Sequence, residues 1–369
     1  MCRRKLSLLI LAGACALAGV LLFTSRAWAK RGETQRIAMF WERLEGKTVA
    51  CQLCPRGCVI QDGKRGFCRA RENRAGTLYS VVYGHPCSIA IDPIEKCPFY
   101  HFLPGTNRLG IATAGCNQTC KYCQNWQISQ SATEDLHTGD ISPDSVVALA
   151  LNLHVPTVSF TYSEPTVFYE YMYDIAVQAR AAGLRSVVVT SGYINEEPLR
   201  KLCAVVDAVK IDLKGFDGGF YRDVCGGQLQ PVLNSLKTIK QAGVHLEIVN
   251  LVVPTLNDSM EEIRRMCRWI SENLGPDVPL HFTRFSPNYR LMNLPSTPVA
   301  TLEQAIGIAR EAGLHYVYIG NVFGHEDDNT LCPNCGKLLI RRAGFDVVEN
   351  NVKDGRCRFC GQEIPGVWE

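Results

Sequence analysis

The sequence has little net charge for its length. Its 39 lysines and arginines are nearly balanced by 36 aspartates and glutamates, which leaves a formal charge of +3 on 369 residues. This balance gives no electrostatic case for nucleic acid as the main partner. Charged residues make up only 20% of the chain and hydrophobic residues 46%. Such a composition excludes a disordered chain and suffices for a full-sized core.

Cysteine, in contrast, is abundant, with 18 residues. Eleven of them form three groups whose spacing is typical of metal sites, whereas disulfide frameworks usually belong to short secreted domains. The other seven are scattered along the chain: Cys2, Cys15, Cys87, Cys97, Cys203, Cys225 and Cys267. Cys203 and Cys267 lie in helical apolar patterns, so we expect both to be buried small hydrophobic residues.

Residues 1–30 have the three parts of a secretory signal. Basic residues 3–5 precede an uncharged apolar stretch at 6–23, and Ala-Trp-Ala follows at 27–29. The apolar stretch is also just long enough to span a bilayer, so a cleaved signal peptide and an uncleaved membrane anchor both fit. Both alternatives predict membrane targeting or export, and the side of the membrane stays open.

From residue 111 onward, short β-branched runs alternate with helical apolar patterns. The predicted strands are residues 111–114, 157–162, 186–190, 208–213, 245–253 and 280–285, each followed by a candidate helix. This alternation predicts a parallel α/β sheet with right-handed crossovers. Six units predict an open, partial (β/α)6 barrel, with residues 316–322 as a candidate seventh strand.

The predicted barrel divides the chain. We expect a targeting segment, a Cys-rich N-terminal region, the barrel and a zinc-ribbon-like module, at residues 1–30, 34–110, 111–324 and 325–369. In such a barrel the chemistry belongs at the C-terminal ends of the strands. Distinctive side chains do follow the first four strands: Cys116, Glu164, Ser191 and Lys214.

Cys116, Cys120 and Cys123 place three thiols within eight residues, close enough for one iron–sulfur cluster to bind all three. A structural zinc normally takes four protein ligands, and no fourth Cys or His follows closely, which disfavours a closed zinc site. Three ligands on a [4Fe-4S] cluster leave one iron open. The open iron can chelate the amino and carboxylate groups of S-adenosylmethionine (SAM), so that an electron breaks the sulfonium bond to the adenosyl group.

The spacing Cys-x3-Cys-x2-Cys, with Tyr122 before the last cysteine, resembles the radical SAM superfamily. The resemblance covers most of residues 51–366. Four segments look like those of pyruvate formate-lyase activating enzymes: residues 161–165, 190–193, 211–214 and 250–254. The radical SAM component of the AmmeMemoRadiSam system is closer still, since it has a Cys-rich N-terminal segment and a C-terminal Cys-x2-Cys pair like those of this chain.

The resemblance implies roles for the strand-end residues. Glu164 would bind the SAM amino group, although Ser163 departs from the family's double glycine before that glutamate. Tyr122 would pack near the adenine. Contacts to the ribose or carboxylate of SAM would come from Ser191, Asp212 and Lys214. Radical chemistry needs no protein general base, so we assign no acid–base pair.

The two flanking Cys groups each offer four thiols. The C-terminal group forms two knuckles that strongly match a zinc ribbon, with Cys332, Cys335, Cys357 and Cys360 as ligands. Such a ribbon would serve as a docking module or as a metal staple. A second [4Fe-4S] cluster is the alternative to zinc. The tighter N-terminal group comprises Cys51, Cys54, Cys58 and Cys68. Zinc and an auxiliary cluster both fit this group, and disulfides are a third alternative.

The expected function is therefore reductive SAM cleavage followed by hydrogen abstraction from an unknown substrate. One candidate site of abstraction is a glycine Cα of a partner protein. The resemblance implies Memo-like and AMMECR1-like partners, and the chemistry needs an electron donor such as flavodoxin or ferredoxin. The alternative is a membrane-tethered metal-binding interaction protein without turnover. Production of 5′-deoxyadenosine separates these two hypotheses.

Overall fold

The structure is a computed structural model that describes residues 36–369, so the predicted targeting segment at residues 1–30 lies outside the described residues. The N-terminal strands are β1 (Arg36–Ile37), β2 (Trp41–Arg43), β3 (Val49–Cys51), β4 (Val59–Ile60), β5 (Arg71–Arg74) and β6 (Thr77–Ser80). They form two small antiparallel sheets, in the orders β1-β6-β5 and β2-β3-β4.

An eight-stranded sheet follows and forms the wall of an open barrel. Its strands are β7 (Ser88–Pro93), β8 (Asn107–Ala112), β9 (Thr157–Phe160), β10 (Arg185–Thr190), β11 (Ala208–Asp212), β12 (His245–Val252), β13 (Leu280–Arg284) and β14 (Val317–Gly320). Strands β8 to β14 are parallel and follow the chain in order, while β7 pairs antiparallel with β8. The sheet runs from β7 at one edge to β14 at the other, so the barrel does not close.

Helices alternate with the strands, and the longer ones cover the outside of this sheet. They are α1 (Trp126–Ser129), α2 (Pro143–Asn152), α3 (Tyr169–Ala181), α4 (Glu196–Cys203), α5 (Gly218–Phe220), α6 (Leu229–Gln241), α7 (Met260–Leu274) and α8 (Val299–Glu311). In α7 the buried residues recur at helical spacing, from Ile263 through Met266, Cys267 and Ile270 to Leu274, and so face the sheet. Among the described residues, no helix is both long and apolar enough to cross a membrane.

The C-terminal module packs against the barrel. Its strands are β15 (Thr330–Leu331), β16 (Leu338–Ala343), β17 (Asp346–Asn350), β18 (Val352–Lys353) and β19 (Arg356–Cys357). Leu339 and Ile340 join a buried cluster with Tyr316 and other barrel residues. The guanidinium of Arg342 lies 3.8 Å from the ring centre of Tyr100 and donates to the Tyr100 carbonyl oxygen at 2.9 Å. The module is therefore held by both apolar and cation–π contacts.

Two features of the fold differ from the predicted strands. The first parallel strand begins at Asn107 and not at residue 111. The prediction began too late because the opening residues of the strand are polar, although Arg108 is buried. β7 was not predicted, because its isoleucines, Ile89 and Ile91, are exposed and Ala90 between them is small. The candidate seventh strand is present as β14. The two cysteines expected to be buried, Cys203 and Cys267, are 7% and 0% exposed, which confirms that prediction.

A buried ion pair joins the N-terminal region to the barrel. The Arg71 guanidinium contacts the Glu170 carboxylate of α3, and their side chains are 1% and 0% exposed. Glu170 also accepts a hydrogen bond from the Met39 backbone N–H at 2.7 Å, and Arg71 donates to the Met39 carbonyl oxygen at 2.9 Å. Because both charges are out of water, each depends on the other.

We expect Glu170→Ala to destabilise the protein by about 3–5 kcal/mol, because it leaves the Arg71 charge buried without its partner. Urea unfolding followed by circular dichroism measures this loss. Glu196→Ala is the control, since Glu196 pairs with Arg200 on an exposed helix face and such pairs contribute only about 0.3–0.5 kcal/mol. Equal, small effects of both substitutions would contradict a structural role for the buried pair.

Candidate active site

One cavity of about 960 Å³ lies inside the open barrel. This volume is at the upper end of the range for small-molecule sites. Every barrel residue to which the sequence assigns a role lines this cavity: Cys116, Cys120, Tyr122, Cys123, Glu164, Ser191, Asp212 and Lys214. The structure therefore brings together side chains that follow four different strands, as parallel strand ends at a common edge require.

The loop with the three cysteines begins directly after β8 and is shaped by Gly115. This residue has φ +95°, and a Cβ atom here would lie 2.3 Å from the Cys68 carbonyl oxygen, so only glycine fits. The Gly115 N–H donates to the Ile128 carbonyl oxygen at 2.9 Å, which ties both ends of the loop together. Cys116 and Cys120 are buried, and Cys123 is partly exposed.

Hydrogen-bonding groups surround the three sulfurs. The Gln118 N–H lies 3.4 Å from the Cys116 sulfur, and the Ser129 hydroxyl lies 3.3 Å from the Cys123 sulfur. Among residues 36–369, the sulfur atoms of these three cysteines do not all lie within 4.8 Å of one another. A single metal ion would need that spacing. Thiols around one cavity but farther apart suit a polynuclear cluster, whose ligands bind different irons.

Cys225 is a residue near this loop that sequence reasoning missed. It lies in a π-helix, Tyr221–Cys225, that continues α5, and its sulfur is 3.5 Å from the Tyr122 hydroxyl. The Tyr122 ring in turn stacks on Phe220, with centroids 6.3 Å apart. The Cys120 sulfur lies 3.8 Å from the Cys225 carbonyl oxygen. Cys225 therefore contacts the cysteine loop without lining the cavity. No local sequence signal links it to the cysteine motif.

The Glu164 carboxylate is the most heavily bonded group of the site. Its Oε1 accepts from the N–H and hydroxyl of Thr166, at 3.1 and 2.8 Å, and from the Thr190 hydroxyl at 2.5 Å. Its Oε2 accepts from the Ser191 N–H at 2.9 Å. Glu164 therefore orders the ends of β9 and β10, and Oε2 still has a lone pair for a ligand.

Asp212 lies between two lysines at the end of β11. The Lys214 Nζ is 3.3 Å from Asp212 Oδ2, and the buried Lys210 contacts Oδ1. Burial acts to raise the pKa of Asp212, but the charges of Lys210 and Lys214 hold it below its ordinary value. Burial opposes protonation of Lys214, yet Asp212 raises the Lys214 pKa well above its ordinary value. Asp212 and Lys214 therefore both stay charged at neutral pH.

Lys210 was not predicted as a site residue, because its place within a hydrophobic strand gives no sign of which way it faces. Ser191 is buried, and its hydroxyl oxygen accepts from the Tyr193 N–H at 3.4 Å. Ser191 and Lys210 both line the cavity. The polar wall of the site is therefore more cationic than the sequence motifs alone predict.

The C-terminal cysteines form a compact group that could hold a metal ion. Sulfur atoms of Cys332 and Cys360 are 3.6 Å apart, those of Cys335 and Cys357 are 3.8 Å apart, and all four lie within 4.8 Å of one another. Tetrahedral coordination with metal–sulfur bonds of about 2.3 Å places sulfurs about 3.8 Å apart. The four thiols are thus arranged for one tetrahedral ion, as the predicted knuckles require.

The N-terminal cysteines converge less tightly. Cys51, Cys54, Cys58 and Cys68 line one small cavity together with Arg71 and Asn117. All four are free cysteines, so the described residues contain none of the disulfides considered as a third alternative. The Arg71 Nη1 lies 3.4 Å from the Cys51 sulfur in buried surroundings. A buried positive charge beside these sulfurs suits a site whose metal ligands are anionic.

Comparison with known proteins gives one family match and several relatives. Residues 111–270 match the radical SAM superfamily. An uncharacterized protein of Methanocaldococcus jannaschii is 47% identical over 89% of this chain and 98% of its own length. The pyruvate formate-lyase-activating enzyme of Clostridium pasteurianum is 26% identical over 42% of this chain and 66% of that enzyme. A domain of such an enzyme from Bacteroides vulgatus has a TM-score of 0.41 and 18% identity, covering 44% of this chain and 98% of that domain.

The superfamily match runs from the end of β8 into α7 and contains the three-cysteine loop and the lining residues of β9, β10 and β11. The 47% identity extends over 331 residues. Sequence, fold and cavity thus point to one conclusion: the chain belongs to the radical SAM superfamily of enzymes.

Proposed function

We propose that this enzyme binds a [4Fe-4S] cluster through Cys116, Cys120 and Cys123, cleaves SAM reductively and abstracts a hydrogen atom from a substrate held in the barrel. The observation that carries this proposal is the single cavity that these thiols share with Glu164 and Lys214. When bound and reduced, the cluster would supply the electron that splits SAM into methionine and a 5′-deoxyadenosyl radical.

The protein residues would then bind and orient SAM. The Lys214 ammonium suits the carboxylate of SAM, and Asp212 fixes the position of that ammonium through the contact at 3.3 Å. Glu164 Oε2 suits the SAM amino group. Ser191 is placed for a ribose hydroxyl, while the packing of Tyr122 against adenine stays a prediction, since its ring stacks on Phe220. Burial of these groups excludes water from the reacting centre.

The substrate and partners are further parts of the proposal. Relatives of this chain are named as activating enzymes for pyruvate formate-lyase and benzylsuccinate synthase. By analogy, we propose that this enzyme acts on a partner protein and receives electrons from flavodoxin or ferredoxin. Its Cys-rich ends favour the AmmeMemoRadiSam system, with Memo-like and AMMECR1-like proteins as partners. Membrane targeting through residues 1–30 stays a prediction, which fractionation with protease protection tests.

The flanking modules are proposed to bind their own metals. Sulfur spacings of 3.6 and 3.8 Å favour one zinc in the C-terminal ribbon. The N-terminal group is proposed to hold either zinc or an auxiliary cluster. The alternative function, a metal-binding interaction protein without turnover, would use both modules for docking and leave SAM uncleaved.

The three-cysteine loop gives the first test of the proposed reaction. Cys116→Ala, Cys120→Ala and Cys123→Ala should each abolish 5′-deoxyadenosine formation by anaerobically reconstituted, reduced enzyme, because three ligands leave no spare. Chromatography of the reaction mixture measures the product. Cys203→Ala is the matched control, since Cys203 is buried outside the cavity, and it should stay active. Product from a triple Ala variant would reject the proposal.

Glu164 gives a separate test of SAM binding. Glu164→Gln keeps the side-chain shape but removes the charge, so we expect SAM to bind roughly tenfold or more weakly. The expected iron content is unchanged, because Glu164 is not a cluster ligand. Equilibrium binding and iron analysis of the same sample make the comparison. Unchanged affinity would reject Glu164 as the amino-group ligand, and loss of iron would show that it chiefly holds the cysteine loop.

Elemental analysis tests both flanking metal sites. Cys332→Ser should lose about one zinc per chain and retain iron, because the ribbon site is separate from the cavity. Cys58→Ser is its counterpart in the N-terminal group. Loss of a second zinc would identify a zinc site there, whereas loss of about four irons would identify an auxiliary [4Fe-4S] cluster. A parent protein with iron but no zinc would contradict the zinc ribbon.

A further inference from the structure

Arg108 is a buried cation that the proposed reaction does not use. It lies on β8, is 1% exposed and lines the cavity. Its Nη2 donates to Asp92 at 2.8 Å and to the Tyr162 hydroxyl at 3.2 Å. Its Nε and Nη1 are buried and have no hydrogen-bond partner. Three of the five guanidinium N–H donors are thus unused, a costly state in a folded protein.

The neighbouring strand residue makes room for this side chain. A Cβ atom at Gly110 would lie 1.7 Å from Arg108 Nη1. Residues 108 and 110 lie on the same face of β8, so the guanidinium crosses the interior face of the sheet at the position of Gly110. The unpartnered Nη1 is therefore inside the barrel and not among the covering helices.

Charge near Arg108 is not fully balanced. Asp92 is shared, because its Oδ1 is 2.6 Å from the Lys96 Nζ while its Oδ2 faces Arg108. Tyr162 adds a hydroxyl that donates to Asp92 Oδ2 at 2.8 Å. One carboxylate therefore faces two cations in this part of the cavity. Among these three charged groups there is one more cation than anion before any ligand enters.

Two other carboxyl groups that line the cavity have different partners. Glu95 accepts from the Gly105 N–H at 2.8 Å, and burial raises its pKa to about 7. Asp212 is paired with Lys210 and Lys214. Neither carboxyl group satisfies the free donors of Arg108. A ligand that brings its own negative oxygen atoms would do so.

We propose that Arg108 binds a carboxylate or phosphate group of the substrate, and that Gly110 and Asp92 position its guanidinium for that contact. This inference rests on the proposed function, because it assigns Arg108 to the substrate and Lys214 to SAM. Guanidinium groups suit both oxyanions through charge-assisted hydrogen bonds. The substrate class is thus an anionic compound or an anionic group of a partner protein.

The test uses reconstituted, SAM-bound enzyme without reductant and simple probes. Ligand-observed NMR titrations follow propionate, its neutral analogue propionamide, and inorganic phosphate. Saturable binding is expected for propionate or phosphate. The oxyanion that binds more tightly shows whether the substrate group is a carboxylate or a phosphate. Propionamide should bind roughly tenfold or more weakly. Arg108→Gln should weaken binding of the preferred oxyanion by a similar factor.

Arg185→Gln is the matched control, since Arg185 is an exposed arginine of β10 that pairs with Asp207, and it should bind the probes like wild type. Equal binding of the preferred oxyanion by Arg108→Gln and wild type would overturn the proposal. A parallel loss of SAM affinity in Arg108→Gln would also overturn it, because Arg108 would then belong to the SAM site.

Wild type alone keeps the proposal testable if Arg108→Gln does not fold. Absence of saturable binding of both oxyanions to wild type would overturn the Arg108 site even if that enzyme makes 5′-deoxyadenosine. Failure of wild type to cleave SAM, in contrast, would reject the proposed function without reference to the probe titrations. The two failures are therefore distinguishable in one preparation.

Discussion

The active site depends on one buried carboxylate. Glu164 accepts four hydrogen bonds, from Thr166, Thr190 and Ser191, and so holds the end of β9 against the end of β10. A charge in these surroundings is tolerated because donors surround it. Removal of any donor would leave part of that charge unsatisfied. The same constraint explains why Glu164 orients the site before it contacts any ligand.

A second constraint is steric and lies where the N-terminal region meets the cysteine loop. Gly115 passes so close to the Cys68 carbonyl oxygen that no side chain fits. Arg56 adds a hydrogen bond to the Asn117 carbonyl oxygen at 2.5 Å. The N-terminal cysteine group is therefore built against the loop that holds Cys116, and any metal bound there would stiffen that loop as well as its own module.

Much of this arrangement follows from sequence because parallel strands place their C-terminal ends at one edge. Residues after successive strands, such as Glu164 and Lys214, must then lie near the three-cysteine loop. Lys210 and Arg108 were missed for a physical reason. Whether a charged residue within a strand faces the barrel interior depends on sheet register and on a neighbour as small as Gly110. Neither can be inferred from a short stretch of sequence. Cys225 depends on a π-helix that no short pattern predicts.

The C-terminal module has a role that its cysteines alone do not indicate. Gly344 and Phe345, in the turn between β16 and β17, line the cavity together with Phe323. A module of this size has a small core, and the contact of Arg342 with Tyr100 holds it against the barrel. A metal bound by its four cysteines would stabilise the module further and, through this turn, a wall of the cavity. Because radical chemistry requires exclusion of water and of unwanted hydrogen donors, such a metal would protect the proposed reaction without taking part in it.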